Sequence, residues 1–150
     1  MQKVSVEEFI QILADKQGRV ETEMEKALAQ SCALIQREAM ESMRDTAIDF
    51  SKTYYTYNKT KAHHPSQAFN PPAVDTGTLR RSITYTVSGT KGEVGSTLKN
   101  PPYGAYLEYG TTRNGEDVII PRPWLKPATD KNRGEIQKLL INAMIKGVSK

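Results

Sequence analysis

An apolar stripe at helical spacing begins near Phe9 and constrains the fold of this chain more than any other feature. Ser5-Val6-Glu7-Glu8 precedes it with the pattern of a capping box, in which Ser5 and Glu8 satisfy each other's backbone amides. We therefore predict a long helical segment over residues 5–50, with Gly18 either ending a first short helix or lying inside a continuous one. The stripe consists of Phe9/Ile10, Leu13, Val20, Met24, Leu28, Ser31, Ile35, Ala39, Met43, Ala47 and Phe50.

The length of this helix suggests a second role for the stripe. Residues 20–50 as one helix would span about 46 Å, whereas a compact domain of this size has a diameter of roughly 38 Å. The helix is therefore expected to overhang its own domain and to bind another copy of the protein. The alternative is a helix that breaks at Gly18 or frays near Thr46 and packs locally. The side chains predicted for the contact between copies are Val20, Met24, Leu28 and Ile35.

The second half of the chain is predicted to form a small antiparallel sheet. Residues 51–72 keep no period and contain three prolines, which is typical of a flexible loop. Alternation from Ser82 to Ser88 indicates a half-buried strand, and shorter strands are expected at Glu93–Thr97 and Val118–Ile120. Tyr103–Tyr109 fits either a helical turn or a strand.

The final helix is predicted to open at Pro121–Trp124, because proline is tolerated in a first helical turn. The chain is then one domain over 1–150, with residues 73–150 forming the sheet and the C-terminal helix. This order of elements is an α+β fold: a long N-terminal helix, a small antiparallel sheet and a C-terminal helix.

Composition excludes several classes of protein. The 150 residues are 37% hydrophobic and 25% charged, with a mean hydropathy of −0.58. Apolar runs are far shorter than the roughly 20 residues that a membrane span needs, so no membrane partner is expected. The start of the chain lacks the pattern of a cleaved signal peptide. Cys32 is the only cysteine, so no intrachain disulfide can form.

Charge is distributed unevenly along the chain. Residues 1–50 carry six Lys/Arg and ten Asp/Glu, for a net charge of −4, and residues 51–150 carry a net charge of +8. This split suits a protein whose acidic and basic surfaces meet on self-association, or one whose basic part lies near nucleic acid. An acidic helix beside an ordinary basic domain is the plainer interpretation.

The candidate catalytic and metal-binding residues have simpler structural explanations. Asp75-Thr76-Gly77 matches the aspartic-protease tripeptide, but Asn70-Pro71-Pro72 precedes it where an apolar strand is required. We expect Asp75 to cap a helical turn and Gly77 to permit a tight backbone approach. His63-His64 is interpreted as a pair of solvated loop histidines and Cys32 as a small buried hydrophobe. The sequence thus predicts no enzyme, cofactor, metal site or small-molecule substrate.

Two further features are ambiguous. The tyrosine-rich stretch Lys52–Lys59 would suit stacking on single-stranded nucleic acid, and equally a protein interface. Glu108 lies between apolar and aromatic neighbours, so it is expected to be partly buried and to need a cationic partner. The candidates for that partner are Arg80, Arg81 and Arg113.

Three segments together resemble the tail-component or neck family of long-tailed bacteriophages: Asp75–Ile83, Tyr103–Thr111 and Pro121–Ala128, in that order. With the preceding helix, the resemblance covers roughly residues 5–145. It singles out a set of motif residues with expected structural or interface roles: Asp75, Thr76, Gly77, Leu79, Arg80, Arg81, Ser82, Tyr106, Glu108, Gly110, Thr111, Pro123 and Trp124.

The resemblance implies a non-enzymatic virion protein, assembled in the bacterial host cytoplasm, at the head-to-tail joint or at tail completion. Family resemblance further implies a homo-oligomeric ring that contacts other neck and tail proteins and, through nonspecific charge, passing DNA. The alternative from another class is a nucleic-acid-binding module that uses the basic second part of the chain.

Overall fold

The computed structural model describes residues 4–55, 62–100 and 102–149, and it confirms the α+β class. Its first helix, α1, runs from Val6 to Ser42 without a break at Gly18. The predicted capping box is present: Ser5 Oγ accepts from the Glu8 amide at 3.2 Å, and the Glu8 carboxylate accepts from the Ser5 amide at 2.9 Å. At 1.5 Å per residue, α1 is about 55 Å long.

The prediction that the helical segment extends to Phe50 is wrong, because α1 ends at Ser42. Beyond it the chain runs beside residues 65–71. The Thr46 hydroxyl donates to the Pro71 carbonyl at 2.6 Å, and Ile48 forms a β-bridge with Ser66. These long-range hydrogen bonds override the local helical spacing, and they leave Phe50 76% exposed.

Short elements fill the middle of the chain. They are the strands β1 (Tyr54–Tyr55) and β2 (Ala62–His63), the helix α2 (Thr78–Ser82), the strands β3 (Ile83–Ser88) and β4 (Lys91–Ser96), the helix α3 (Tyr103–Tyr109), and the strands β5 (Thr111–Arg113) and β6 (Glu116–Ile119). In the described residues the strands form three separate two-stranded antiparallel sheets, β1–β2, β3–β4 and β5–β6, rather than the one sheet that was predicted.

The C-terminal helix, α4, spans Leu125–Ser149 and packs antiparallel along α1. Lys131 near its start contacts Glu38 at 2.6 Å, and Lys146 near its end contacts Glu23 at the same distance. Gly147 lies so close to α1 that a Cβ there would be 2.6 Å from the Val20 Cα atom. α4 therefore covers α1 only as far as the region of Val20, and the first turns of α1 project beyond the end of α4.

The core lies where the C-terminal half of α1 meets α4 and the short elements. It consists of Ala39, Met43, Leu79, Ile83, Leu107, Trp124 and Ala128. Cys32 is buried between α1 and β4, and burial raises the pKa of its thiol. Within the described residues, no helix is long and apolar enough to cross a membrane.

The segment predicted as a flexible loop, 51–72, is described for 51–55 and 62–72, and residues 56–61 of the tyrosine-rich stretch lie outside the described residues. Its second part is hydrogen-bonded to the rest of the subunit. The Pro65 carbonyl accepts from the Asp49 amide, the Gln67 amide donates to the Ala47 carbonyl, and the Phe69 amide donates to Pro121.

Candidate interface site

The three motif segments meet around Gly104 in α3. A Cβ on Gly104 would be 3.3 Å from Leu79 Cδ1 and 3.3 Å from Trp124 Cζ2. The Trp124 indole N–H also donates to the Gly104 carbonyl at 3.0 Å. Only a glycine permits so close an approach without a shift of its neighbours. Gly104 therefore lies where the three segments meet. It was not among the residues predicted from the sequence, although a glycine inside a short helical segment can indicate close packing.

Glu108 is 9% exposed and caps α4, which corrects the expectation of an arginine partner. Its Oε2 atom accepts from the amides of Trp124 at 2.7 Å and Leu125 at 2.9 Å, and its Oε1 atom accepts from the Lys126 amide at 2.9 Å. The first amides of a helix lack partners within the helix and carry partial positive charge. A carboxylate from α3 therefore satisfies three of them and fixes the start of α4.

Arg122 reinforces the same junction and was not among the predicted residues. Its amide donates to the Leu107 carbonyl at 2.6 Å, and its Nε atom donates to the Ser66 carbonyl at 3.3 Å. It thus ties α3 and the segment after β2 to the start of α4. Pro123 beside it is half-buried.

The loop before α2 differs from its prediction at one residue. Gly77, not Asp75, is the N-cap of α2, and no side chain caps this helix. Asp75 instead faces His63, with 3.9 Å between Oδ1 and Nδ1. The Thr76 hydroxyl accepts from the Thr78 amide at 3.3 Å and so shapes the turn locally. Gly77 has φ +76°, as its predicted role in a tight turn requires.

The motif residues of α2 divide into buried and accessible groups. The Ser82 hydroxyl is buried and lies 2.7 Å from the Ser96 hydroxyl, which links α2 to β4. Arg80 is half-buried and its Nε atom donates to the Met40 carbonyl at 3.1 Å. Arg81 is exposed and lies against Gly77. Arg81 is therefore the more accessible of the two arginines in this motif.

The end of α3 contains one position that requires glycine and, near it, side chains that are accessible to solvent. Gly110 has φ +73°, and a Cβ there would be 2.7 Å from the Ile119 carbonyl oxygen. Thr111 then begins β5 and pairs with Ile119. Tyr106 is 38% exposed on the outer side of α3.

A cleft lies beside the Asp75 loop. Its volume is about 390 Å³, and its apolar lining includes Met43, Leu79, Leu98 and Leu107. Its polar lining includes His63, Asp75, Arg80 and Asn100. The first two resemblance segments, Asp75–Ile83 and Tyr103–Thr111, therefore contribute to the lining of this cleft, and the third does not.

The predicted contact stripe is divided by the packing of α4. Val20, Met24, Leu28 and Ile35 are half-buried within the subunit. Val20 contacts Gly147, and Leu28 contacts Gly92 of β4. The stripe continues uncovered toward the start of α1, where Phe9 is 55% exposed and Leu13 is 50% exposed. A role of the four half-buried residues between copies stays a prediction.

A family model described as "Bacteriophage HK97-gp10, putative tail-component" matches residues 7–110. The chain belongs to this family. The match covers α1 from Glu7 onward and the first two resemblance segments as far as Gly110, and the third segment, Pro121–Ala128, follows it. No curated protein and no solved structure matches the chain. The expected resemblance to phage tail components is thereby confirmed.

Proposed function

We propose that this phage tail component is a structural, non-enzymatic subunit of a homo-oligomeric ring at the head-to-tail joint or at the completed end of the tail. Family membership supports a location in the virion and contact with other phage proteins. The proposal of a ring is supported by the projecting end of α1, whose apolar side chains are exposed in the subunit. An uncovered apolar helix face on a subunit favours association.

The roles of the motif residues agree with this proposal. Glu108 caps a helix, Trp124 fills the core, and Gly104 permits close packing. Each of these residues therefore has a structural role within the subunit. The exposed apolar side chains, which include those on the projecting end of α1 and Ile141, Met144, Ile145 and Val148 on α4, are then candidates for contact with other proteins.

Electron microscopy of a phage that lacks the protein tests this function. Capsids should form and package DNA, because other machines perform those steps, while tails should be unattached or irregular in length. Supplying the wild-type protein should restore joined, infectious particles. Normal infectious particles without the protein would contradict the proposal.

Arg81→Glu tests the same function by a milder change. Arg81 is exposed, whereas Arg80 also donates a hydrogen bond to the Met40 carbonyl. Reversing the charge of Arg81 alone therefore tests an effect on the interface without removing a hydrogen bond that stabilises the fold. We expect slower or less complete joining with an unchanged melting temperature, because interface charges tune encounter and register. Lys91→Glu, at an exposed position on β4, is the matched control.

Nucleic-acid binding is the second candidate function, favoured by the net charge of +8 on residues 51–150. Contact with passing DNA would follow from the same charge. A steep fall of duplex affinity with salt, with a slope that corresponds to several phosphates, would support it. Affinity that is absent even at low salt would leave protein contacts as the sole function.

A further inference from the structure

Two apolar helix faces are exposed at the same end of the subunit. On the first turns of α1, apolar side chains recur at spacings of three and four residues and so share one side of the helix. The last turns of α4 carry a second face with the same spacings. The α1 face consists of Val6, Phe9, Ile10 and Leu13, and the α4 face of Ile141, Met144, Ile145 and Val148, each at least 50% exposed.

The α1 face continues the side of α1 that packs against α4. Leu13 precedes Val20 by one heptad and Val6 precedes it by two, and residues seven apart lie on nearly the same side of a helix. Val20 contacts Gly147, and α4 ends shortly afterwards at Ser149. The α1 face is therefore a helix-packing surface whose partner within the subunit is too short to cover it.

A subunit cannot place its own α1 face on its own α4 face. Gly147 is buried against α1, whereas the α4 face lies on a different, exposed side of α4. The Lys16 ammonium donates to the Val148 carbonyl at 2.7 Å and holds α1 beside the end of α4. Because α1 is unbroken from Val6 to Ser42, its first turns cannot fold back over α4. Any contact between the two faces therefore joins different copies.

Net charge favours contact between the two different faces over contact between like faces. Residues 4–15 contain three carboxylates and no Lys or Arg, a net charge of −3, whereas residues 136–149 contain two lysines and no Asp or Glu, a net charge of +2. The charged residues are Glu7, Glu8, Asp15, Lys138 and Lys146. The carboxylates lie on other sides of α1 than its apolar face, so these charges act on encounter and orientation rather than as ion pairs within the contact.

We propose that the α1 face of one subunit packs against the α4 face of a second copy, with Ile10 and Met144 near the centre of the contact. This inference rests on the proposed self-association and names its two surfaces. Side chains at spacings of three and four residues form the ridges that fit between those of another helix, and their burial drives the contact. Because the faces differ, each subunit offers one face to each of two neighbours, which is the heterologous pattern that builds rings.

Two variants that each alter one face test this contact. The α1 variant carries Phe9→Ser and Leu13→Ser, and the α4 variant carries Ile141→Ser and Ile145→Ser. Neither should assemble alone, whereas an equal mixture should form heterodimers, because the intact α4 face of the first variant meets the intact α1 face of the second. Sedimentation measures the mass, and a melting curve of each variant confirms folding. Asn142→Ser, exposed on another side of α4, is the matched control and should assemble like wild type.

Cross-linking provides the second arm of the test. Cys32→Ala removes the natural thiol, after which Ile10→Cys is placed in one protein and Met144→Cys in the other. A short bismaleimide should join this pair in assemblies with several-fold more product than Ile10→Cys gives with Thr90→Cys, in the exposed β3–β4 turn.

The possible failures separate the contact from the ring. Assembly of the α4 variant at the wild-type concentration would overturn the contact and indicate that α1 faces meet each other. Variants that stay monomeric when mixed, while wild type assembles, would also overturn the contact and leave the ring. Wild type that is monomeric at every concentration and with other tail proteins present would overturn the ring and the contact together.

Discussion

The two ends of one apolar stripe on α1 have opposite environments. From Val20 onward the stripe packs against α4 and the β3–β4 hairpin, and Ala39 is completely buried. From Val6 to Leu13 the same pattern continues beyond the end of α4, and its side chains are exposed. Periodicity specifies which side chains share a face, but the length of the partner helix decides which of them the subunit buries. The covered part maintains the fold, and the uncovered part is available to a neighbour.

Trp124→Ala should cause the largest loss of stability, because the covered region depends on this side chain. Trp124 is 3% exposed and contacts Gly104. Truncation of such a residue costs about 3–5 kcal/mol of unfolding free energy. Chemical denaturation measures the loss. Tyr109→Ala, at an 80% exposed position in the adjoining helix, is the control and should change the unfolding free energy by less than about 0.5 kcal/mol.

Glu108→Gln should cost about 2 kcal/mol by removing the charge that caps α4. The amide group also places an N–H donor where one of the carboxylate oxygens accepted from backbone amides. Denaturant titration followed by circular dichroism gives this value. Glu116→Gln, on exposed β6, supplies the baseline. Equal stability of the two variants would contradict the capping role.

Two glycines of α4 should respond in opposite directions to alanine. A Cβ at Gly147 meets the Val20 backbone, so Gly147→Ala should force the helices apart and cost about 1–3 kcal/mol. Gly134 has open space around it, and Gly134→Ala should raise stability by up to about 1 kcal/mol. Thermal melts of both variants measure the difference. Destabilisation by both would contradict the close approach of α4 at Val20.

The smallest effect is expected at Glu23, which joins the covered part of α1 to α4. Hydrogen bonds from Lys146 and then Lys26 lower the pKa of Glu23. A lowered pKa in the folded state stabilises the protein above the unfolded value, and this stabilisation is lost as pH falls through the folded value. Glu23→Gln should therefore melt slightly earlier than wild type at neutral pH and together with it in strong acid. Glu25→Gln, at an exposed position on the same helix, should have the melting temperature of wild type both at neutral pH and in strong acid.

Local patterns predicted the elements that depend on local interactions. The capping box at Ser5, the strand near Ile83 and the helix after Pro121 all lie where the sequence placed them. The end of α1 was mispredicted because the bridge between Ile48 and Ser66 joins distant segments. Long-range pairing of this kind leaves no trace in helical spacing.

The same distinction applies to the site. The sequence predicted a partly buried Glu108 with a cationic partner; Glu108 is 9% exposed, but its partners are backbone amides. An arginine seemed to be the natural partner because the backbone amides at the start of α4 become visible only after the fold brings α3 beside Trp124. The role of Gly77 was predictable because its tight turn is encoded by a few adjacent residues.

The assembled mass of a variant with polar side chains on the projecting end of α1 tests whether this surface joins the subunits. Phe9→Ser combined with Leu13→Ser replaces two of the exposed apolar side chains on this face, while Ile12→Ser, 43% exposed on another side of α1, is the control. Sedimentation over a concentration series, with a melting curve for each protein, measures assembly and folding separately. We expect that wild type and Ile12→Ser assemble alike, whereas the double variant stays monomeric with an unchanged melting temperature. Assembly of the double variant at the wild-type concentration, or its unfolding as a monomer, would contradict the claim.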